Sequence, residues 1–595
     1  MSETSKAPDP TAAEGRSLGY FLCWAVVFAD IGTSVYYTPG ILYHQVGIHA
    51  ALFVTMTLFV FILLTIKYAE VAIRYPEGGG VVTVATRAIH AVAGLVGGLF
   101  ILVDYFLTSA LSALSGVIYL SVVAPTLGPV VVPVTLLALA ALGVLNLMGV
   151  KSSARASAVV AVSAGVGQLA VVLAVLLHVG LARALATFPL MFSGSRLTPL
   201  TVLTGYAGAF LAFSGLESIA QLSPAMAEPR ARVARVAMGL VVISMGITSP
   251  LLTLWSTTLL DAGHVDRNQF ISILGGFAAG PLLQDYVAVS GALLLVFASN
   301  TALIGAYHVF LALSRMRFLP ALLQQTNRWR GTPHWAIIFG IGIPLAVVAV
   351  SRGDVGLLGD LYAFGLLGAF TMTCLSLDIV RWHERREHAP PPAAGIRPAG
   401  PVMLGIGFLT TALVGLAWTT NLVAKPLATL FGGGLTLIGL LIAFVNWRLE
   451  TRRNLPVVLP YVYRPLHPVV LINRGRRLPR PAIVAVLPHE LDHVAEAVRS
   501  ATDGAHGGLV AFVYDGMAQP RRVIPGLLEI VDPYLDDPQA QAVLQRAAVE
   551  TRRRSGPTRY VYLYLPDGQD ATELGSLLRT LRSGQSPTVE EVAGS

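Results

Sequence analysis

Charge is what this chain lacks most. Asp, Glu, Lys and Arg make up only 12% of its 595 residues, against the roughly 25% that a soluble domain carries. Over that length the shortage excludes an ordinary soluble enzyme, a disordered chain and a nucleic-acid-binding protein. Cysteine is nearly missing too. Cys23 and Cys374 both lie inside apolar runs, which leaves no disulfide framework and reads as two small buried hydrophobes. Residues 1–17 lack a basic segment ahead of a small-residue cleavage site. The apolar run that begins at Leu18 is too long for a signal peptide and is expected to remain as a membrane helix. No Gly-x-x-x-x-Gly-Lys-Ser/Thr run occurs, which argues against ATP-driven pumping. No catalytic constellation stands out, so neither an enzyme nor a required cofactor is expected. His44, His90 and His178 show no metal-ligand spacing.

What the chain has instead is apolar sequence. It is 54% hydrophobic, with a mean hydropathy of +0.67. A helix that crosses the bilayer needs about 20 predominantly apolar residues. That template gives twelve expected spans, at about 18–38, 50–72, 92–121, 129–149, 157–179, 202–222, 234–259, 284–312, 335–351, 358–379, 402–421 and 428–447. With the N-terminus inside, eighteen Lys and Arg residues fall on the inner side before the last span. Five fall outside: Arg183, Arg196, Arg267, Arg352 and Lys425. This positive-inside asymmetry sets orientation, and a wrong span count would have scrambled it. A multi-pass protein of the cell (inner) membrane is expected, with both termini cytoplasmic. The net charge of +8 is then mostly an orientation signal.

The chain divides by composition. Residues 1–17 read as a cytoplasmic tail, 18–447 as a twelve-helix transporter domain and 448–480 as a basic, Pro-containing linker. Residues 481–595 read as a cytoplasmic α/β regulatory domain. In that last part Ala482–Leu487, Leu509–Tyr514 and Arg559–Leu565 are short β-type runs, and helical stretches lie near 490–500, 538–554 and 571–582. Strands alternating with helices predict a parallel sheet. The run Arg552-Arg553-Arg554 reads as a solvated helix end.

Three acids lie well inside apolar spans: Asp30, Asp104 and Glu217. A charge in the hydrocarbon core is costly and marks a functional site by default. No Lys or Arg stands mid-span near them to neutralise them. Asp285, Asp360 and Asp378 sit closer to span ends and read as interfacial. Around Asp30 the chain runs Asp30-Ile31-Gly32-Thr33-Ser34. Gly, Thr and Ser are poor helix-interior residues, and Thr and Ser can bond back to the backbone. Gly32, Thr33 and Ser34 are therefore expected to break span 1. Phe213-Ser214-Gly215-Leu216-Glu217 repeats the device in span 6, with Gly215 as the break. Irregular backbone at membrane depth is tolerated where it lines a cavity or is buried in protein, and secondary transporters build binding sites there. Two broken helices five spans apart suggest a five-plus-five inverted repeat with two further spans.

These residues resemble the amino acid-polyamine-organocation (APC) superfamily, whose fold is LeuT-like. The likeness rests on Tyr75-Pro76-Glu77-Gly78-Gly79-Gly80, on Phe213 to Glu217 followed by Glu228-Pro229-Arg230, and on Ser299 to Ala306 with Ser314-Arg315 and Leu319-Pro320. Within it the nearer likeness is to potassium–proton symporters of the KUP and KimA type. Asp30 to Ser34 is similar to the first-helix motif, Asp104-Tyr105-Phe106-Leu107-Thr108 through Ser112 to the third helix, and Leu361-Tyr362-Ala363-Phe364-Gly365 to the tenth. The resemblance implies a cation path lined by Asp30, Tyr37, Asp104, Tyr105, Ser112, Ser214 and Tyr362, with potassium held at Asp30 and Asp104. It also implies a tail similar to universal stress proteins, a nucleotide as that tail's ligand and a homodimer formed through it. The Gly-rich nucleotide-binding run of many such domains does not follow Tyr514 or Leu565.

The chemistry points the same way without the family. A dehydrated K⁺ needs several oxygen ligands near negative charge, and these residues supply carboxylate, phenol and hydroxyl oxygens. Amino acid permeases aim half-helix N–H groups at the substrate carboxylate, which an acid at the break would repel. A polyamine, or an amino acid whose amine meets Asp30, stays open as an alternative substrate. A membrane sensor signalling through the tail is a weaker third reading. Low dielectric favours a neutral carboxyl, so Asp104 or Glu217 is expected to carry the coupled proton.

Overall fold

The structure is a computed structural model. It describes residues 18–75, 78, 80–149, 154–194, 197–261, 264–316, 318–387, 396 and 400–452, and three strand segments at 482–486, 509–516 and 559–566. The expected tail at 1–17, most of the linker and the helices expected near 490–500, 538–554 and 571–582 lie outside these residues.

Among the described residues, eleven helical runs are long and apolar enough to cross a membrane. The first, Tyr20–Arg74, has 55 residues. At 1.5 Å per residue it would reach about 80 Å, far beyond the roughly 30 Å hydrocarbon core. It turns at the 3-10 segment Gly47–His49 and so contains the first two expected spans. All twelve expected spans therefore have a helical counterpart, and the chain is an all-α polytopic membrane protein over this region.

Span 1 is the pair of helices Tyr20–Ile31 and Ser34–Val46, and span 2 is Ala50–Arg74. Span 3 is Ala91–Val123, span 4 Val131–Leu147 and span 5 Ala154–Val179. Span 6 begins with Pro199–Ala209, and span 7 is Arg230–Thr258. Spans 8 to 12 are Pro281–Arg315, His334–Ser351, Val355–Glu387, Pro401–Ala424 and Pro426–Arg452. Proline stands in the first turn of spans 6, 8 and 11, where its missing N–H costs nothing and its fixed φ suits a helix start.

Burial separates an inner set of spans from an outer one. Span 3 is buried from Gly97 through Tyr119. Spans 11 and 12 turn Val402, Leu409, Val423, Leu430 and Leu437 outward, where lipid is the natural solvent. At the centre, span 10 presses on span 3. A Cβ on Gly365 would stand 2.6 Å from the Asp104 nitrogen and 2.7 Å from the Phe100 carbonyl oxygen. Only glycine allows that approach, which carries Tyr362 to the middle of span 3.

The two expected breaks differ. In span 6 the helix passes into the 3-10 turn Phe210–Phe213, Ser214 is extended with ψ 150°, and Gly215 has φ 96°. Helix resumes at Ser218–Gln221. In span 1 the expected unwound turn over Gly32, Thr33 and Ser34 is only a two-residue irregularity. Gly32 and Thr33 keep helical dihedrals, and the Gly32 N–H still donates to the Phe28 carbonyl at 2.8 Å. Ser34 opens the second helix instead of belonging to the break. The cause is the back-bonding that the residue types predicted. Thr33 and Ser34 hydroxyls donate to the carbonyls of Asp30 and Ile31, both at 2.6 Å, and so satisfy the groups that a looser turn would expose.

Near the C-terminus, Ala482–Val486, Leu509–Gly516 and Arg559–Pro566 form a three-stranded parallel sheet in that order. Ala482 pairs with Val510, and Leu509 with Arg559. The strands fall where the β-type runs were expected and pair in parallel.

Candidate functional site

Gly215 builds the site. Its positive φ is the region glycine enters without steric cost, and it brings span 6 against span 1 so closely that a Cβ there would lie 2.9 Å from the Asp30 carboxyl carbon. Three bonds then seam the two broken spans together. The Ser34 hydroxyl lies 2.6 Å from the Ala212 carbonyl as well as from that of Ile31 and shares its one proton between them. The Ser218 hydroxyl donates to Asp30 Oδ2 at 2.5 Å. Tyr37 and Ser214 hydroxyls meet at 3.4 Å. From span 5, Gln168 donates to the Gly32 carbonyl at 3.1 Å.

Span 3 supplies the other wall. Asp104 has no exposed surface, and neither carboxylate oxygen has a hydrogen-bond partner among the described residues. The Tyr362 hydroxyl and the Glu217 carboxyl stand beside it as hydrogen-bonding groups outside good hydrogen-bond geometry, and Asp30 acts on it as a charge. One turn along, the Thr108 hydroxyl meets the Tyr362 hydroxyl at 2.6 Å. Tyr105 accepts a hydrogen bond from Gln221 at the end of span 6. Glu217 is 4% exposed, and its Oε2 is likewise without a partner.

Asp30, Tyr37, Asp104, Tyr105, Ser214, Glu217 and Tyr362 thus surround one region. Ser112 is the exception. It is buried on span 3 with an unpartnered hydroxyl, about 12 Å along the helix from Asp104 at 1.5 Å per residue, and no hydrogen bond ties it to the acids. None of the ion pairs formed by the described residues involves Asp30, Asp104 or Glu217. No three His, Cys, Asp or Glu side chains among the described residues group tightly enough to chelate a metal ion. Further along span 1, Gly40 and Ile41 line a cavity of about 700 Å³ with His44, Asp266, Asp354 and Asp360. It begins about one helical turn beyond Tyr37.

The reading of Asp378 as interfacial is corrected. Its side chain has no exposed surface and pairs with Lys67 Nζ at 2.7 Å. Thr411 donates to the same oxygen at 2.6 Å. Nearby, Glu70 pairs with Arg381 and with Arg74 at 2.6 Å, and Arg74 pairs with Glu384 at 2.5 Å. Spans 2, 10 and 11 are fastened there by a balanced network. Asp360 is paired as well, with Lys425 at 2.9 Å and with the Gln45 amide at 2.7 Å.

Sequence reasoning missed Ser218, Gln221, Gln168 and Thr108 as parts of the site. Thr108 could have been found, because it stands four residues from Asp104 and therefore on the same helix face. Gln168 and Gln221 carried no local signal.

Residues 18–461 match the family model described as amino acid permease. The chain is 26% identical over 392 residues to "Potassium transporter KimA" of Bacillus subtilis, a match covering 63% of each protein. It is 27% identical over 412 residues to "Probable potassium transport system protein Kup 2" of Mesorhizobium japonicum, covering 64% of this chain and 61% of that one. The matches thus span under two thirds of the length of these relatives.

Proposed function

Because the chain belongs to the amino acid permease family, we propose that it is a secondary active transporter, not an enzyme, that takes up K⁺ together with H⁺ by alternating access. The observation that carries this reading is the set of three buried acids, Asp30, Asp104 and Glu217, with no basic partner among the described residues. A carboxylate buried without a counter-charge is costly, and a cation that arrives in the site removes the cost. The oxygens around the site suit a cation stripped of water: two carboxylates near the breaks, the Tyr37 and Tyr362 phenols, and the Ser214 hydroxyl. The relatives named for potassium transport support the choice of ion.

In this reading the cavity lined by Gly40 and Ile41 faces outward, and K⁺ enters from it past Tyr37 and meets Asp30 and Asp104. Asp104 or Glu217 holds the coupled proton, since each has an oxygen free of hydrogen bonds. The positive-inside count supports an inner-membrane protein with cytoplasmic termini. The C-terminal sheet then belongs to a cytoplasmic regulatory domain of universal-stress-protein type, a candidate for a nucleotide ligand and for a dimer contact.

The test is growth at limiting K⁺ in a host that lacks potassium uptake. Rescue is expected, with uptake of Rb⁺ that rises with an inward proton gradient. No rescue, together with uptake of a labelled amino acid or polyamine, would replace the substrate while keeping the fold.

A further inference from the structure

We propose that Ser218 is the positioning residue that aims Asp30 at the transported cation. The inference rests on the transport reading above and deepens it. Ser218 opens the short helix that resumes span 6 after the unwound segment, and it is 2% exposed. Its hydroxyl donates to Asp30 Oδ2 at 2.5 Å, and among the described residues no other donor bonds that carboxylate. Thr33, three residues on, spends its hydroxyl on the Asp30 backbone carbonyl. Ser214 faces Tyr37 instead. Asp30 therefore has one oxygen held from span 6 and one oxygen that no donor among the described residues holds.

Two physical consequences follow. A hydrogen bond to an ionised acceptor is roughly twice as strong as a neutral one, so Ser218 restricts the rotamer of Asp30 more than an ordinary hydroxyl contact would. Pre-orienting a ligand group lowers the ordering cost of binding. The hydroxyl also belongs to span 6 while the carboxylate belongs to span 1. The direction of Asp30 is thus set by the fit of the two broken spans. Gly215 makes that fit possible, because any larger residue would collide with the Asp30 carboxyl carbon.

The experiment is Rb⁺ uptake kinetics by the full chain in the uptake-deficient host, for the wild type, Ser218→Ala and Ser218→Thr. Ser218→Ala is expected to raise KM about tenfold or more, the size of a lost hydrogen bond to a charged group, with the maximal rate changed less than about threefold. Ser218→Thr keeps the hydroxyl and is expected to keep KM within about threefold. A structural role would lower the rate and the folded yield in both variants and leave KM in place, and that result overturns the proposal. So does an Ala variant with wild-type KM. Should Ser218→Ala fail to fold, Ser218→Cys, similar in shape and a weak donor, takes its place with the same expected rise in KM. Absence of Rb⁺ uptake by the wild type overturns the transport reading itself. Wild-type uptake with an unmoved KM in the variants overturns only the role of Ser218.

Discussion

Two groups of acids are buried in this bilayer-spanning body, and they are treated oppositely. Where the C-terminal part of span 2 packs on that of span 10, Asp378 and Glu70 are matched by Lys67, Arg381 and Arg74. Thr411 and the Cys374 carbonyl take up further bonds of Asp378 and Lys67. At the centre, Asp30, Asp104 and Glu217 lie together with hydroxyls and with no basic partner among the described residues. Breaking a buried pair by removing one partner costs about 3–5 kcal/mol, whereas replacing the whole pair with apolar residues is often neutral. The first group therefore holds helices together. The second has no basic counter-charge among the described residues, and in the proposed transport cycle an incoming cation or proton supplies it. The presence or absence of a partner separates the two roles better than depth or burial does.

That contrast can be broken by exchange of single atoms. The largest expected effect is Asp30→Asn, which keeps shape and removes charge. K⁺-dependent growth and Rb⁺ uptake should fall about a hundredfold or more, a loss of roughly 3 kcal/mol of cation binding. The purified variant should melt no lower than the wild type. Retained uptake would remove Asp30 from the cation site. Next in size is Asp378→Ala, which strands Lys67 in apolar surroundings. A destabilisation of about 3–5 kcal/mol is expected, read as a lower melting temperature and a lower folded yield in detergent. Lys67→Met combined with Asp378→Leu should recover most of it. If Asp378→Ala melts normally and only transport is lost, the network belongs to the functional class and the division fails. The third is Asp104→Asn. If Asp104 carries the coupled proton as proposed, uptake should drop about tenfold and its rise with falling external pH should flatten. Full pH dependence in that variant would leave Glu217 as the coupling group.

How far the sequence anticipated this follows from the range of each interaction. Spans are local, since about 20 apolar residues suffice to cross, and each has its helix, although those of spans 1 and 10 run eight residues past the expected ends, to Val46 and Glu387. The unpartnered acids were visible for the same reason, as charges inside apolar runs. The Lys67–Asp378 pair was hidden because its members stand 311 residues apart, and each alone looked like an orientation or span-end residue. The span 1 break was overestimated because propensity ranks Gly32, Thr33 and Ser34 as helix breakers. It does not count the back-bonds that let two of them finish the helix. Ser218 was overlooked beside Glu217. A serine next to an acid has no meaning until the turn at Gly215 aims it across at span 1.

The smallest expected effect sharpens the boundary of the central group. Thr108 and Tyr362 share a bond of 2.6 Å that joins span 3 to span 10 one turn from Asp104. Interhelical hydrogen bonds inside membranes average only about 0.6 kcal/mol. As pure scaffolding, then, Tyr362→Phe and Thr108→Val should each shift the melting temperature slightly and leave KM within about threefold. If the Tyr362 phenol also faces the cation, its loss should raise KM further than that of Thr108, since each ion ligand removed must be replaced by water. A double-mutant cycle on the Rb⁺ KM separates the two cases. Additive changes, with Tyr362→Phe the larger, place the phenol among the cation's ligands. A coupling that equals the smaller single effect makes Thr108 and Tyr362 one structural unit and moves both to the side of the helix-fastening network.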